Sequence, residues 1–290
     1  MKRIAILGCE NSHAKNFLGF IKNDKKYEDI EVVGVFSEDE NAARALNEAF
    51  GVPILSSYGE AVGKIDGLMI TARHGDRHYE YAKPYIASGI PMFIDKPITI
   101  SESEALTLMR ECRDFGVKLT GGSSCVHSEW VQSLKAAREN NKDGATLGGL
   151  VRCPLSLKSV YGGFFFYAEH LVGITSEIFG SYPNSVKAFL NKNVLNVTFR
   201  YDDYDVTGVY TDENYSCYYA MRISEKHVDG REFPITADCY KTELDEFCSL
   251  LYGGEQKISY RDFIAPVFVM NAINRSLTQN REVKVKKYEL

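Results

Sequence analysis

The stretch RIAILGCENSH, residues 3–13, decides the fold of this chain. RIAIL is an apolar run with strand character, and it leads without a break into Gly8. A Gly-x-Gly-x-x-Gly loop after a first strand would place glycines at 8, 10 and 13; Gly8 is kept, and Glu10 and His13 stand at the other two positions. In such a loop the first glycine makes the tight turn, the second lets a pyrophosphate approach the backbone, and the third admits close helix packing. The phosphates themselves are held mainly by amide N–H groups at a helix N-terminus, which almost any residue supplies. Asn11 and Ser12 bring amides and small side chains, so the expectation is a dinucleotide held at Gly8, Glu10, Asn11, Ser12 and His13. That arrangement requires the Glu10 carboxylate to turn away from the phosphates, because like charges repel.

Outward from this segment, IEVVGVF (30–36), DGLMIT (66–71), IPMFI (90–94) and VKLTG (117–121) read as further strands. Helical patterns lie between them, including ENAARALNEAF (40–50) and SESEALTLMRECRDFG (101–116). In the latter, Ser101 and Glu104 have capping-box spacing and Gly116 supplies the stop. Strand and helix in repeated alternation predict a parallel, doubly wound sheet. After a helix at EWVQSLKAARENN (129–141), the chain from residue 146 is rich in strands with Asn, Asp and Gly turns, the pattern of an antiparallel sheet. Helical segments at 237–253 and 258–279 and a last strand at 282–285 follow. The predicted fold class is α/β. It comprises an N-terminal Rossmann doubly wound parallel sheet over 1–121 and a C-terminal α+β domain with an open, mainly antiparallel sheet over 122–290.

Composition is consistent with that division. At 290 residues the chain suits two domains, because single cores stop growing at about 250–300 residues. A hydrophobic fraction of 44% with 25% charged residues excludes a disordered chain. A net charge of -5 offers no basic field for nucleic acid or anionic lipid. No apolar run reaches the roughly 18 residues of a membrane span, and the opening apolar run is too short for a secretory signal. Seven cysteines never occur as C-x-x-C, so reduced thiols and a cytoplasmic location are expected.

Ligands of open parallel sheets sit beyond the carboxyl ends of the strands. The segments there are GCENSH, ARHGDRH, DKP and GSSCVH, which place His13, His74, His78 and His127 in loops at one edge. Ser37 follows the second strand, where an NAD-selective aspartate often sits. Glu38 and Asp39 beside it would repel a 2′-phosphate, and no arginine follows until Arg44, so NAD is favoured over NADP. Arg73 has the reach to meet a phosphate or a substrate carboxylate. Two other functions compete. One is a metal-dependent hydrolase or lyase built on Glu10, His13, His74, Asp76, His78 and His127, although no His-Glu-x-x-His is present. The other is a non-catalytic ligand sensor, suggested by the eroded glycines.

FIDKPITISESEAL (93–106) resembles the Glu-Lys-Pro signature of the Gfo/Idh/MocA family (glucose-fructose oxidoreductase, inositol dehydrogenase and relatives), with Asp95 where glutamate is usual. YGGFFFYAEHLVGITSEIFG (161–180) resembles the family's Gly-Gly segment leading into a helix with a functional histidine. The closing stretch from Thr242 to Val285 is similar to the family's final pattern, so the resemblance covers essentially the whole chain. It implies a Rossmann domain for NAD or NADP, and a second domain whose sheet mediates homodimers or homotetramers. The implied reaction is reversible hydride transfer at a carbinol carbon of a sugar, polyol or related hydroxy compound, with no metal. Lys96 matches the family lysine and His170 the acid/base histidine. Arg73, His74, His78 and Asp95 fall on the cofactor side, with Ser37. His127, Phe166 and Tyr167 are the expected substrate contacts. The aspartate usual four residues before the histidine is Phe166, and the one usual three residues after it is Gly173. Without a carboxylate partner the imidazole is expected to be less basic and less firmly oriented.

Overall fold

The computed structural model describes residues 1–215 and 217–288. The chain divides into two compact units. The first, Met1–Gly122 with Tyr240–Phe263, carries β1 (Lys2–Leu7), α1 (Ser12–Asn23), β2 (Ile30–Phe36), α2 (Glu40–Phe50), β3 (Gly67–Ile70), α3 (Asp76–Ile86), β4 (Met92–Asp95), α4 (Glu102–Asp114) and β5 (Leu119–Gly122). The five strands are parallel, in the order β2-β1-β3-β4-β5. The chain winds to one side of β1 and then to the other, so a switch point opens between the carboxyl ends of β1 and β3.

Local chemistry sets the helix ends. Asp39 caps α2 by accepting the amides of Asn41 and Ala42, and Gly51 ends that helix at φ +69°. Ser101 caps α4 by accepting the Glu104 amide at 3.3 Å, while the Glu104 carboxylate accepts the Thr99 hydroxyl; the capping box is thus half made.

Residues 240–263 complete this unit. Leu244, Phe247, Cys248 and Leu251 share its core with Ile4, Ile6, Phe17 and Phe93. A Cβ at Gly67 would lie 2.7 Å from the Leu251 side chain and 2.9 Å from that of Phe247, so this segment packs directly against the β3 backbone there. The Tyr27 hydroxyl donates to Asp245 at 2.7 Å, and the Leu119 amide donates to the Gln256 side chain at 2.8 Å. The chain divides between Gly122 and Ser123 and again on either side of this returning segment.

The second unit, Ser123–Cys239 with the chain from Ile264 on, begins with α5 (Glu129–Glu139), β6 (Thr146–Leu155), α6 (Phe165–Phe179), β7 (Ser185–Asn191), β8 (Val194–Arg200), β9 (Asp205–Asp212), β10 (Tyr219–Ser224) and β11 (Val228–Glu232). After α7 (Ala237–Leu251) and α8 (Tyr260–Phe263), it closes with α9 (Ala265–Gln279) and β12 (Val283–Lys284). Seven strands run in the order β11-β10-β6-β9-β8-β7-β12. The sheet is antiparallel except where β6 lies parallel to β9, a pairing allowed by the long crossover through α6, β7 and β8. Helices α6 and α9 pack on it, and Leu195, Val197 and Phe199 alternate into the core along β8. The single helix expected at 258–279 is broken at Ile264. Pro266, in the first turn of α9, lacks an N–H and so suits a helix start rather than an interior. No helix among the described residues is long and apolar enough to cross a membrane.

Candidate functional site

Gly8 makes the turn out of β1 at φ +75°, and a Cβ there would lie 2.4 Å from the N and Cα of Ala72. The Gly8 and Cys9 amides donate to the Phe36 carbonyl at 2.8 and 3.1 Å, and the Thr71 hydroxyl donates to the Gly8 carbonyl at 3.0 Å. The end of β1 is thereby stitched to the ends of β2 and β3. Helix α1 starts at Ser12 with Asn11 as N-cap, but the Asn11 side chain does not cap; its Nδ2 donates to Asp95 Oδ2 at 2.8 Å. The first turn of α1 contains no acidic residue. First-turn amides have no acceptor within their own helix, so the positive end of this dipole is suited to an anion. The Glu10 carboxylate points across the strand ends. Its Oε2 accepts the Ser37 hydroxyl at 2.7 Å and its Oε1 accepts the Arg73 amide at 2.9 Å.

His13 is expected in a loop and lies instead within the first turn of α1, 4% exposed. Its Nδ1 is 3.0 Å from Asp95 Oδ2 and its Nε2 is 3.5 Å from Glu243 Oε2, with the Tyr240 ring edge-on at 4.9 Å. Burial by itself would lower the imidazole pKa; the charge of Asp95, then the contact with Glu243, outweighs it and holds the group up to about 10. Burial opposes ionisation of Asp95 as well, yet the His13 cation keeps that carboxyl below its ordinary range. Glu243 is governed by burial and is pushed up to about 7. The third-glycine position has become the cation of a buried carboxylate–imidazolium–carboxylate cluster. Nothing in the sequence marks Glu243, one of two glutamates on an amphipathic helix far along the chain.

Lys96 is 4% exposed, and its amide donates to Asp95 Oδ1 at 2.6 Å. Asp95 thus joins the Lys-Pro turn, Asn11 and His13. His78 stands at the start of a helix, as the family resemblance implies. It lies in α3, fully buried, with Nε2 2.8 Å from the Ala72 carbonyl and Nδ1 3.3 Å from that of Ile98; burial lowers its pKa. It ties the exit of β3 to the segment after β4. His74 stays in the loop, where its Nδ1 accepts the Asp76 amide at 3.3 Å. Among the described residues no group of three or more His, Cys, Asp or Glu side chains is arranged to hold a metal ion. His13 and His78 face carboxylates and carbonyls inside the unit, so the donors proposed for a metal do not converge there. None of the seven cysteines forms a disulfide, and six of them are buried.

In the second unit His170 sits on α6, buried, with its Nδ1 2.7 Å from Ser123 Oγ and 3.3 Å from Cys125 Sγ. Ser123 Oγ also accepts the Cys125 amide at 3.3 Å at the start of a short 3-10 turn, Ser124–His127. The loose imidazole expected beside Phe166 is therefore not observed, because a hydroxyl from another segment fixes the ring. Gly173 has a matching role: a Cβ there would be 3.3 Å from Ser123 Cβ and 3.4 Å from the Val126 side chain. Ser123 was legible only as part of a strand-end loop; its partnership with α6 was not. Phe166 and Tyr167 lie half-buried in an aromatic row. Ring centroids are 5.2 Å apart for Tyr161–Phe166, 5.0 Å for Phe166–Tyr167 and 5.4 Å for Tyr167–His170. Phe164 instead belongs to the core, against Tyr210. His127 is half-buried at the end of the 3-10 turn.

The profile of the Gfo/Idh/MocA oxidoreductase family, NAD-binding Rossmann fold, matches residues 2–123. Over 100 residues the chain is 26% identical to a provisionally named UDP-kanosamine synthase oxidoreductase subunit of Amycolatopsis mediterranei strain S699. That match spans 34% of this chain and 28% of the relative. Among solved structures, the fold is that of a myo-inositol dehydrogenase from Corynebacterium glutamicum (TM-score 0.81, 18% identity, 99% of this chain and 100% of that one). It is also that of the WlbA dehydrogenase from Bordetella pertussis in complex with NADH and UDP-GlcNAcA (TM-score 0.83, 18% identity, 98% and 99% covered). GenD2 from gentamicin A biosynthesis, in complex with NAD, gives a TM-score of 0.84 at 15% identity, with 98% of this chain and 96% of that one covered.

Proposed function

From the match of residues 2–123 to the Gfo/Idh/MocA oxidoreductase family, we propose that this protein is an NAD-dependent dehydrogenase or reductase acting on a hydroxyl-bearing carbon of a sugar, polyol or related compound. The observation that carries the reading is the β1–α1 turn. Gly8 supplies the tight bend, the Asn11 side chain leaves the helix end uncapped, and the one carboxylate in the turn lies sideways against Ser37. These residues suit a diphosphate. The nicotinamide, when bound, supplies the hydride acceptor or donor.

The rest of the chemistry falls to the protein. Oxidation of an alcohol releases a proton as well as a hydride, and imidazole is the side chain suited to take it near neutral pH. His170 has that role in this proposal. To accept a proton at Nε2 it must carry its own proton on Nδ1, and Nδ1–H then donates to Ser123 Oγ, 2.7 Å away. Lys96 stabilises the developing alkoxide as an ammonium. Asp95 holds the backbone of this residue through its amide. Phe166 and Tyr167 offer ring surface to the apolar faces of a sugar or cyclitol, with His127 as a further polar contact. Seven cysteines with no disulfide fit a reducing, cytoplasmic setting, and association through the seven-stranded sheet remains part of the proposal.

Titration calorimetry with NAD+, NADH, NADP+ and NADPH tests the reading: saturable binding and thermal stabilisation by an NAD form are expected, and silence with all four sinks it. With an alcohol found by screening inositols and nucleotide sugars, Lys96→Met and His170→Asn should each lower kcat by about a hundredfold or more, the usual scale for general acid–base groups. NAD+ affinity should stay unchanged in His170→Asn. Unaltered turnover in either variant removes that residue from the mechanism.

A further inference from the structure

We propose that Glu10 is the residue that selects a dinucleotide whose adenosine ribose carries a free 2′-hydroxyl, and so excludes its 2′-phosphorylated counterpart. The inference rests on the dinucleotide-binding reading above. In folds of this kind that selection ordinarily falls to an acidic residue at the end of the second strand. Here Ser37 occupies that place and supplies only a hydroxyl, which donates to Glu10 Oε2 at 2.7 Å and accepts the Asp39 amide at 3.1 Å. The Arg73 amide fixes the other oxygen, Oε1, at 2.9 Å. A carboxylate from the end of β1 is thus pinned by the residues that follow β2 and β3, the two strands flanking β1. It lies within hydrogen-bond distance of Ser37, the residue that stands where the second-strand acid is usual.

The neighbouring charges single out Glu10. Asp39 is committed to capping α2 through the amides of Asn41 and Ala42. Glu38 is paired with Arg77 at 3.0 Å, and Arg77 is held from its other side by Glu80 at 2.9 Å. That guanidinium, the kind of group that would welcome a 2′-phosphate, is neutralised by two carboxylates. An ionised carboxylate has about four acceptor sites, and two of those on Glu10 are used, so a ribose hydroxyl finds an acceptor there. A phosphate dianion beside the same carboxylate meets like charge.

The test is calorimetric titration of NAD+ and NADP+ into the wild type, Glu10→Gln, and the double variant Glu10→Gly with Ser37→Asp, each checked for folding by its melting curve. The wild type should prefer NAD+ by about ten- to a hundredfold, the scale of one charge-assisted hydrogen bond. Glu10→Gln should narrow that ratio at least tenfold, mainly by tightening NADP+. The double variant, which returns the carboxylate to the end of β2, should restore it. An unchanged ratio in Glu10→Gln overturns the proposal. So does an equal gain for both nucleotides, which would make Glu10 an obstacle rather than a selector. Should Glu10→Gln fail to fold, the double variant decides: a preference for NAD+ supports the transfer of the carboxylate, and its absence overturns it. No heat with either nucleotide in any of the three proteins brings down dinucleotide binding itself.

Discussion

Replacing His13 with alanine should destabilise the protein by about 3–5 kcal/mol, the range for removing one partner of a buried ion pair. The melting temperature should fall by roughly ten degrees or more. His13 is the cation between Asp95 and Glu243, two carboxylates that are 0% and 1% exposed. Without it both carry their desolvation cost with no counterion from α1. The same cluster sets an alkaline limit. His13 holds its proton in the folded state up to about pH 10, against an ordinary 6.5, so its stabilisation is complete below about pH 6.5 and is lost as pH rises toward 10. Glu243, raised from 4.5 to about 7, also binds more protons when folded, and stability falls with its ionisation through that window. Asp95 has the opposite sign: its depressed pKa gives stability that disappears as pH falls through its folded value. Chemical denaturation across pH 5–10 should therefore show a decline on the alkaline side for the wild type and a flatter profile for His13→Ala. Equal stability of the two proteins at pH 7 would contradict an imidazolium at this position.

Gly8→Ala should cost about 2–5 kcal/mol, the left-handed backbone accounting for about 1–2 kcal/mol and forced overpacking for the remainder. The close approach can be separated from the backbone effect. Gly51 has nearly the same φ, +69°, but a Cβ there has no neighbour within 4 Å, so Gly51→Ala should show the backbone cost alone. Adding Ala72→Gly to Gly8→Ala should rescue little, because the Ala72 N and Cα are as close to the new Cβ as its own Cβ is. Denaturation of the three variants and the wild type measures this directly. NAD+ affinity should fall in Gly8→Ala and hold in Gly51→Ala, since the turn that aims the α1 amides moves only in the first. Indistinguishable stabilities for Gly8→Ala and Gly51→Ala would show that the β1–α1 turn tolerates a side chain.

The parallel sheet was legible because its signals are local. Apolar runs alternate with helical periodicity, Ser101 and Gly116 mark the two ends of α4, and Gly8 sits where a first strand turns into its helix. Lys96 and His170 were legible as residue types in recognisable contexts. The helix break at Ile264 was also within reach, since Pro266 announces it in the sequence.

What only the tertiary structure decided are the partnerships. The sequence shows Glu10 and His13 at lost glycine positions and says nothing of where they point. The fold turns Glu10 onto Ser37 and the Arg73 amide, and surrounds His13 with carboxylates from β4 and from a helix that returns near the end of the chain. Likewise the missing aspartate before His170 reads as a deficit until Ser123 is seen against its Nδ1. Periodicity and capping act between residues a few positions apart and are written along the chain. The charge state and orientation of a buried side chain depend on groups brought within hydrogen-bond distance by packing, and separation in sequence does not encode that distance.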